Sequence, residues 1–151
     1  MTLKLAALVI VIAGLALLAY VRLAPSDPAA WHVAVATSGP LPDGRCADQI
    51  APMARGARAT CALRLSPADT LQKLEAIALT SPRVQHLAGS AAEGRITWVA
   101  RSFLMGYPDY VTAEATPTPT GTRLDIISRQ RFGEADSGVN AARLKDWLSQ
   151  L

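Results

Sequence analysis

Arginine dominates the residues of this chain that could do chemistry, supplying 12 of its 15 basic side chains. Arg58, Arg64, Arg95, Arg101, Arg123, Arg129 and Arg131 sit in stretches where polar and apolar residues alternate, so they fall largely on one face of a sheet, the face turned to solvent. A guanidinium is planar, permanently charged, and forks onto carboxylates and phosphates in a bidentate way. A face carrying several of them suits anionic lipid headgroups or an acidic membrane protein partner. Asp109, Glu114 and Asp125 balance these arginines, and a sheet simply solvated by paired charges is the plainer account. Arg129, Arg131 and Arg143 are the three for which the sequence supplies no structural duty.

A second candidate is the apolar turn Phe103-Leu104-Met105-Gly106-Tyr107-Pro108. Helices folded over a curved sheet can leave an apolar groove, and Phe103, Met105 and Tyr107 would then line its mouth. The same side chains could instead complete the core beneath Trp98 and Trp147. An empty or a filled interior between helix and sheet separates the two.

Signs of catalysis are lacking. The chain has no Gly-x-Ser-x-Gly elbow, no glycine-rich phosphate loop and no His-Glu-x-x-His. His86 with Asp109 or Asp136 would make a base and its orienter, but a histidine within a strand is more often structural. His32 and His86 are the only histidines and no motif joins them, so neither metal nor cofactor is expected. Cys46 and Cys61 fit neither a redox Cys-x-x-Cys nor a four-ligand zinc site. They are read either as a disulfide closing a loop of about 15 residues or as two unrelated buried thiols. The formal charge of the 151 residues is +3. Leaving out residues 1–24, with Lys4 and Arg22, brings 13 basic against 12 acidic residues, too little excess for phosphate neutralisation to drive nucleic-acid binding.

The elements that must position these residues begin with Leu5 to Val21, apolar apart from Gly14 and Tyr20 and bracketed by Lys4 and Arg22. About 17 residues at ~1.5 Å each reach ~26 Å, the short end of a bilayer span. A cleaved signal peptide competes, but Leu17-Leu18-Ala19 is a poor cleavage site and Pro25 follows Ala24. The expectation is a retained single-pass anchor in the inner (cytoplasmic) membrane, its domain on the periplasmic side. Residues 24–43 are rich in proline, serine, glycine and alanine and read as a tether, with Trp31 docking on the domain.

Arg58 to Leu65 alternates as a half-buried strand. Ser66-Pro67-Ala68-Asp69 starts a helix with Leu71, Leu74, Ile77 and Ala78 on its packing face, and Ser81-Pro82 ends it. Strands follow at Val84 to Ala88, Ile96 to Phe103, Tyr110 to Ala115 and Arg123 to Gln130, with the prolines of Thr116 to Gly121 marking a loop. Asp136, Ser137 or Asn140 caps a last helix behind Gly138, and Leu144, Trp147, Leu148 and Leu151 form its apolar stripe. The class is α+β, a curved antiparallel sheet of about five strands with two helices packed on one face, preceded by a single transmembrane helix.

Arg129-Gln130-Arg131-Phe132-Gly133, then Asp136, Gly138-Val139-Asn140, Arg143 and Trp147-Leu148 resemble the C-terminal signature of the domain of unknown function 1499 family. Tyr107-Pro108-Asp109 resembles that family's aromatic-Pro-Asp element before the penultimate strand. The resemblance covers roughly Arg58 to Leu151 and departs near the start, where Cys46 stands in place of a Pro-Asn-Cys-Val-Ser-like element. It implies a domain found in bacteria and plastids and brings no activity with it. The chain thus reads as a transmembrane anchor (1–24), a tether (25–45) and a globular domain (46–151). The expected function is non-catalytic binding of an apolar or anionic ligand or lipid, with an accessory or assembly subunit of a membrane complex as the alternative. The lipid bilayer itself is the first partner, met through Leu5 to Val21.

Overall fold

A computed structural model describes residues 3–151; Met1 and Thr2, the start of the 1–24 anchor, lie outside the described residues. Helix α1 (Leu3–Leu23) has 21 residues, apolar apart from Lys4, Gly14, Tyr20 and Arg22, and is long and apolar enough to cross a membrane. Its side chains are exposed almost throughout, as a single-pass or signal-like anchor requires, and only Val21 is buried. A short helix α2 (Pro28–Trp31) follows, capped by the Asp27 carboxylate on the Ala29 amide.

Six strands form one antiparallel sheet: β1 (Ile50–Met53), β2 (Gly56–Leu63), β3 (Val84–Ser90), β4 (Arg95–Arg101), β5 (Pro108–Thr118) and β6 (Gly121–Gln130). Their spatial order is β1-β2-β6-β5-β4-β3. The sequence leads to about five, and β1 is the strand it misses. Ile-Ala-Pro-Met is short, lacks alternation and contains a proline, which an edge strand tolerates because one side of its backbone needs no partner. The predicted loop Thr116 to Gly121 is also corrected, since β5 runs on to Thr118 and pairs Pro117 with Thr122. The Ala115 amide reaches Gly94, the residue just before β4. Two residues on, Pro117 turns its nitrogen the same way, past the end of β4, where no ladder bond is lost.

Helices α3 (Pro67–Thr80) and α4 (Val139–Leu148) cover one face of the sheet. Ser66 caps α3 by accepting from the Asp69 amide at 3.1 Å, and Leu71, Leu74 and Ala78 are fully buried. They meet Ala59, Cys61, Ile96, Trp98, Val111, Ala113, Leu124 and Ile126 from the sheet and Leu144 and Trp147 from α4. The indoles of Trp98 and Trp147 meet edge to face at 5.7 Å, and Trp147 Nε1 donates to Ser81 Oγ at 2.8 Å. The interior beneath α4 is therefore filled with side chains, and Phe103, Met105 and Tyr107 do not open onto it.

The opposite face carries the correction of largest consequence. It is only partly turned to solvent: residues 25–39, read as a tether, form a strap laid across the central strands, while Arg58 and Ala62 of β2 stay exposed. Gly89 shows how closely it lies. A Cβ there would stand 2.5 Å from the His32 ring of the strap and 2.1 Å from the Arg95 carbonyl, and its φ of +86° already favours glycine.

Cys46 and Cys61 form a disulfide that ties the turn at Cys46–Asp48 to β2 across a sequence separation of 15. Closing a loop of that size constrains the unfolded chain by about 3 kcal/mol. Replacing both cysteines by serine is expected to lower the unfolding free energy by about that amount, read as a lower denaturant midpoint with a slope that is the same or slightly steeper, because the unfolded chain is no longer cross-linked.

Candidate functional site

The strap is held by a ladder of polar contacts to side chains of β4, β5 and β6. The Trp31 indole stacks on the Tyr110 ring at 3.9 Å and 10°, and the Trp31 carbonyl accepts from Arg129 Nη2 at 2.8 Å and Thr112 Oγ1 at 3.2 Å. His32 Nδ1 and Thr97 Oγ1 lie 2.9 Å apart. The Val35 and Ala36 amides donate to Glu114 Oε2, which Arg95 grips bidentately. Thr37 and Thr60 each donate to Asp125 Oδ1 at 2.5 Å, and Arg123 Nε donates to Asp125 Oδ2 at 2.8 Å. Arg123 also reaches the Gly39 carbonyl.

These donors decide the ionisation of both carboxyls. Burial alone would raise Asp125, but the hydrogen bonds from Thr37, Thr60 and Arg123 outweigh it and hold the group below its usual value. Burial likewise opposes ionisation of Glu114 and is overcome by Arg95 and the Val35 and Ala36 amides, so this group too sits low.

Beside the strap lies an open cleft of about 480 Å³ lined by Trp31, Met53, Ala54, Arg55, Arg129, Gln130 and Arg131. Arg55 donates to the Arg131 carbonyl at 2.9 Å, and Arg131 donates to the Pro25 carbonyl at 2.6 Å and to the Tyr110 hydroxyl. The Arg129 guanidinium stands 5.5 Å from the Trp31 ring centre. Burial pushes Arg129 below its usual value, and its Nε is enclosed without a hydrogen-bond partner, as is the Gln130 amide nitrogen. Among the described residues, carboxylates pair with Arg95, Arg123 and Arg143 and with none of the three cleft arginines. The cleft thus offers positive charge and an apolar wall, the inventory that holds an anion with an apolar part.

Other expected site residues lie elsewhere. Arg143 is on the helix side: its Nη2 donates to Asp109 at 3.0 Å and its Nη1 to Ser128 and Asn140. Ser128 also donates to Asn140. Asp109 therefore belongs to the helix face, not to the arginine face it was expected to balance, and burial pushes its carboxyl up against the pull of Arg143. Asp136 accepts from the Asn140 amide, and Gly138, at φ +80°, starts α4. Arg101 donates to the Gly106 carbonyl. Phe103, Met105 and Tyr107 belong to the turn after β4 and lie away from the cleft, with Phe103 79% exposed. His86 is paired with Glu75 at 2.7 Å, not with Asp109 or Asp136, and no three metal-ligating side chains gather among the described residues.

Sequence reasoning missed Trp31, Met53 and Arg55 as cleft residues. Arg55 and Met53 flank the β1–β2 turn, just ahead of where alternation begins, and periodicity says nothing about turns. Trp31 had a signal, a lone indole in a proline-rich stretch, but none for where it would dock.

The family model described as protein of unknown function (DUF1499) matches residues 23–151. The chain belongs to the DUF1499 family. Comparison with curated proteins and with solved structures finds no match. The DUF1499 match begins at Leu23, ahead of the strap, whereas the residues that resembled the family begin near Arg58. The strap is thus part of the DUF1499 domain by sequence as well as by packing.

Two outcomes follow for this DUF1499 domain. Glu114 and Asp125 have lowered values, so their stabilisation of the strap is present above the ordinary carboxylate range near 4 and lost as pH falls through the lowered values. Amide exchange at Val35 and Ala36, taken relative to the intrinsic rate at each pH, should therefore accelerate below about pH 4. Asp109, raised by burial, contributes with the opposite sign, so Asp109→Asn should leave that acceleration in place. Separately, Arg143→Ala strands the half-buried Asp109 carboxylate and should cost about 2–4 kcal/mol in chemical denaturation.

Proposed function

We propose that this DUF1499 protein is a non-catalytic binding module, anchored by α1 in the cytoplasmic membrane with its domain on the periplasmic side. Its ligand is an anionic amphiphile of the lipid-headgroup type, taken into the cleft of Trp31, Met53, Arg55, Arg129 and Arg131. The observation that carries the reading is the convergence of three arginines that no carboxylate claims among the described residues, against an indole and a thioether. Guanidinium groups supply the anion's hydrogen bonds, and Trp31 and Met53 receive its apolar portion. The periplasmic placement draws on the Cys46–Cys61 disulfide, a bond that persists in oxidising compartments.

The test uses the full chain in neutral phosphatidylcholine nanodiscs, titrated with short-chain phosphatidylglycerol and, separately, with inorganic phosphate. Tryptophan emission reports occupancy through Trp31. The expectation is saturable binding of the lipid with weaker binding of phosphate alone. Loss of one charge-assisted contact in Arg55→Gln or Arg131→Gln should weaken lipid binding about 10-fold or more. Unchanged affinity in both variants would sink the cleft as the site. A tightly held protein retained through mild-detergent purification, with no lipid response, would favour the accessory-subunit reading.

A further inference from the structure

A second surface lies at the end of α1 and is separate from the cleft. The turn between β4 and β5 exposes Phe103 at 79% and Leu104 at 75%. It is a closed turn: the Gly106 amide bonds the Ser102 carbonyl, the Ser102 amide bonds the Tyr107 carbonyl, and the Tyr107 amide bonds Ser102 Oγ. Two apolar side chains at the tip of a turn whose backbone is tied down are costly to leave in water and need a cover.

The position of the turn indicates the cover. Arg22, in the last turn of α1, donates to the Leu104 carbonyl at 2.8 Å. Its stem packs so close on Gly106 that a Cβ there would stand 2.9 Å away. The turn is thus fastened to the last turn of a helix whose 21 residues at ~1.5 Å each, about 32 Å, match the hydrocarbon thickness of a bilayer. Leu23 and Tyr20 are exposed beside it, and Tyr20, Phe132 and Tyr107 follow one another with ring centres 6.0 Å apart. Aromatic rings gather in this way at the membrane interface.

Charge completes the picture. Arg22, Arg83 and Arg101 line a shallow cleft with Ser102 and Phe103 directly behind the apolar tip. Arg83 lies 5.1 Å from the centre of the Phe103 ring, and none of the three is paired with a carboxylate among the described residues. Apolar groups in front and guanidinium groups behind follow the order of acyl chain and phosphate in a lipid leaflet.

We propose that the β4–β5 turn is a second membrane contact. Phe103 and Leu104 sit in the interfacial layer of the bilayer that α1 crosses, and Arg22, Arg83 and Arg101 bind the phosphates of its lipids. The domain then rests on the membrane in one orientation instead of swinging from α1. This inference rests on α1 spanning a bilayer and is independent of ligand binding in the Trp31 cleft, so either can fail alone.

The full chain carrying Phe103→Trp, and in parallel Leu104→Trp, is reconstituted into vesicles of phosphatidylcholine and phosphatidylglycerol. The added emission is read as the difference from the unsubstituted chain. Expected is loss of most of that emission when bromine is carried on the upper acyl chain, protection from acrylamide, and weaker bromolipid quenching when Arg83→Gln and Arg101→Gln are added. Ready quenching of both reporters by acrylamide with no effect of bromolipid would overturn the proposal. So would protection from both quenchers, which would mean that a protein surface covers the turn.

Discussion

Two carboxylates taken out of water set the terms for this domain. Glu114 and Asp125 project from adjacent central strands on the face away from the helices, and neither can stay ionised there without donors. Part of the supply is local, from Arg95, Arg123 and Thr60. The rest comes from a segment 79 to 88 residues earlier in the chain, through the Val35 amide and the Thr37 hydroxyl. Because the donors include backbone amides, the segment must lie flat and in one register, which makes a strap out of a proline-rich stretch. The central strands are consequently covered on both faces, by helices on one and by the strap on the other. The end of α1, joined to the strap by a few residues, is brought against the domain as a result.

Sorting the arginines by what they bond divides the molecule more clearly than strand alternation does. Arg95, Arg123 and Arg143 are paired with carboxylates and hold the fold. Arg22, Arg55, Arg83, Arg101 and Arg131 donate to carbonyl oxygens, which satisfies hydrogen-bonding geometry and leaves the charge uncancelled. Arg129, bonded to the Trp31 carbonyl and Thr112, joins the second group. A nearly neutral composition therefore conceals a segregation of charge: the three paired arginines serve structure, and the six of the second group line two clefts near the end of α1.

How far the sequence reveals this follows from what periodicity can encode. Period-two and helical patterns identify β2 to β6, α3 and α4, and the apolar stripe of Leu144, Trp147 and Leu148 correctly implies a helix packed on the sheet. The strand Ile50–Met53 is too short and too proline-marked to show a pattern. Alternation also places Arg58, Arg95, Arg123 and Arg129 on the face away from the helices without saying what covers that face. Covering depends on long-range hydrogen bonds from a segment without periodicity, and such bonds leave no local trace. Asp109 illustrates the same limit: one position separates the arginine face from the helix face, and its partner Arg143 lies 34 residues on.

The filled interior narrows what kind of binding this DUF1499 domain can perform. With Trp98 and Trp147 in contact beneath α4, the centre of the helix–sheet interface is filled, so recognition of the proposed kind would take place at the surface. Surface recognition of an amphiphile needs charge and an apolar wall side by side, and both clefts provide that pairing, with Trp31 and Met53 in one and Phe103 in the other. The chain reaches the two clefts from α1 by different routes. Arg22 itself lines the second cleft, whereas the first is met through the Pro25 carbonyl on Arg131. Both clefts are therefore tied to the end of α1, one through the Arg22–Leu104 bond and the other through the Arg131–Pro25 bond.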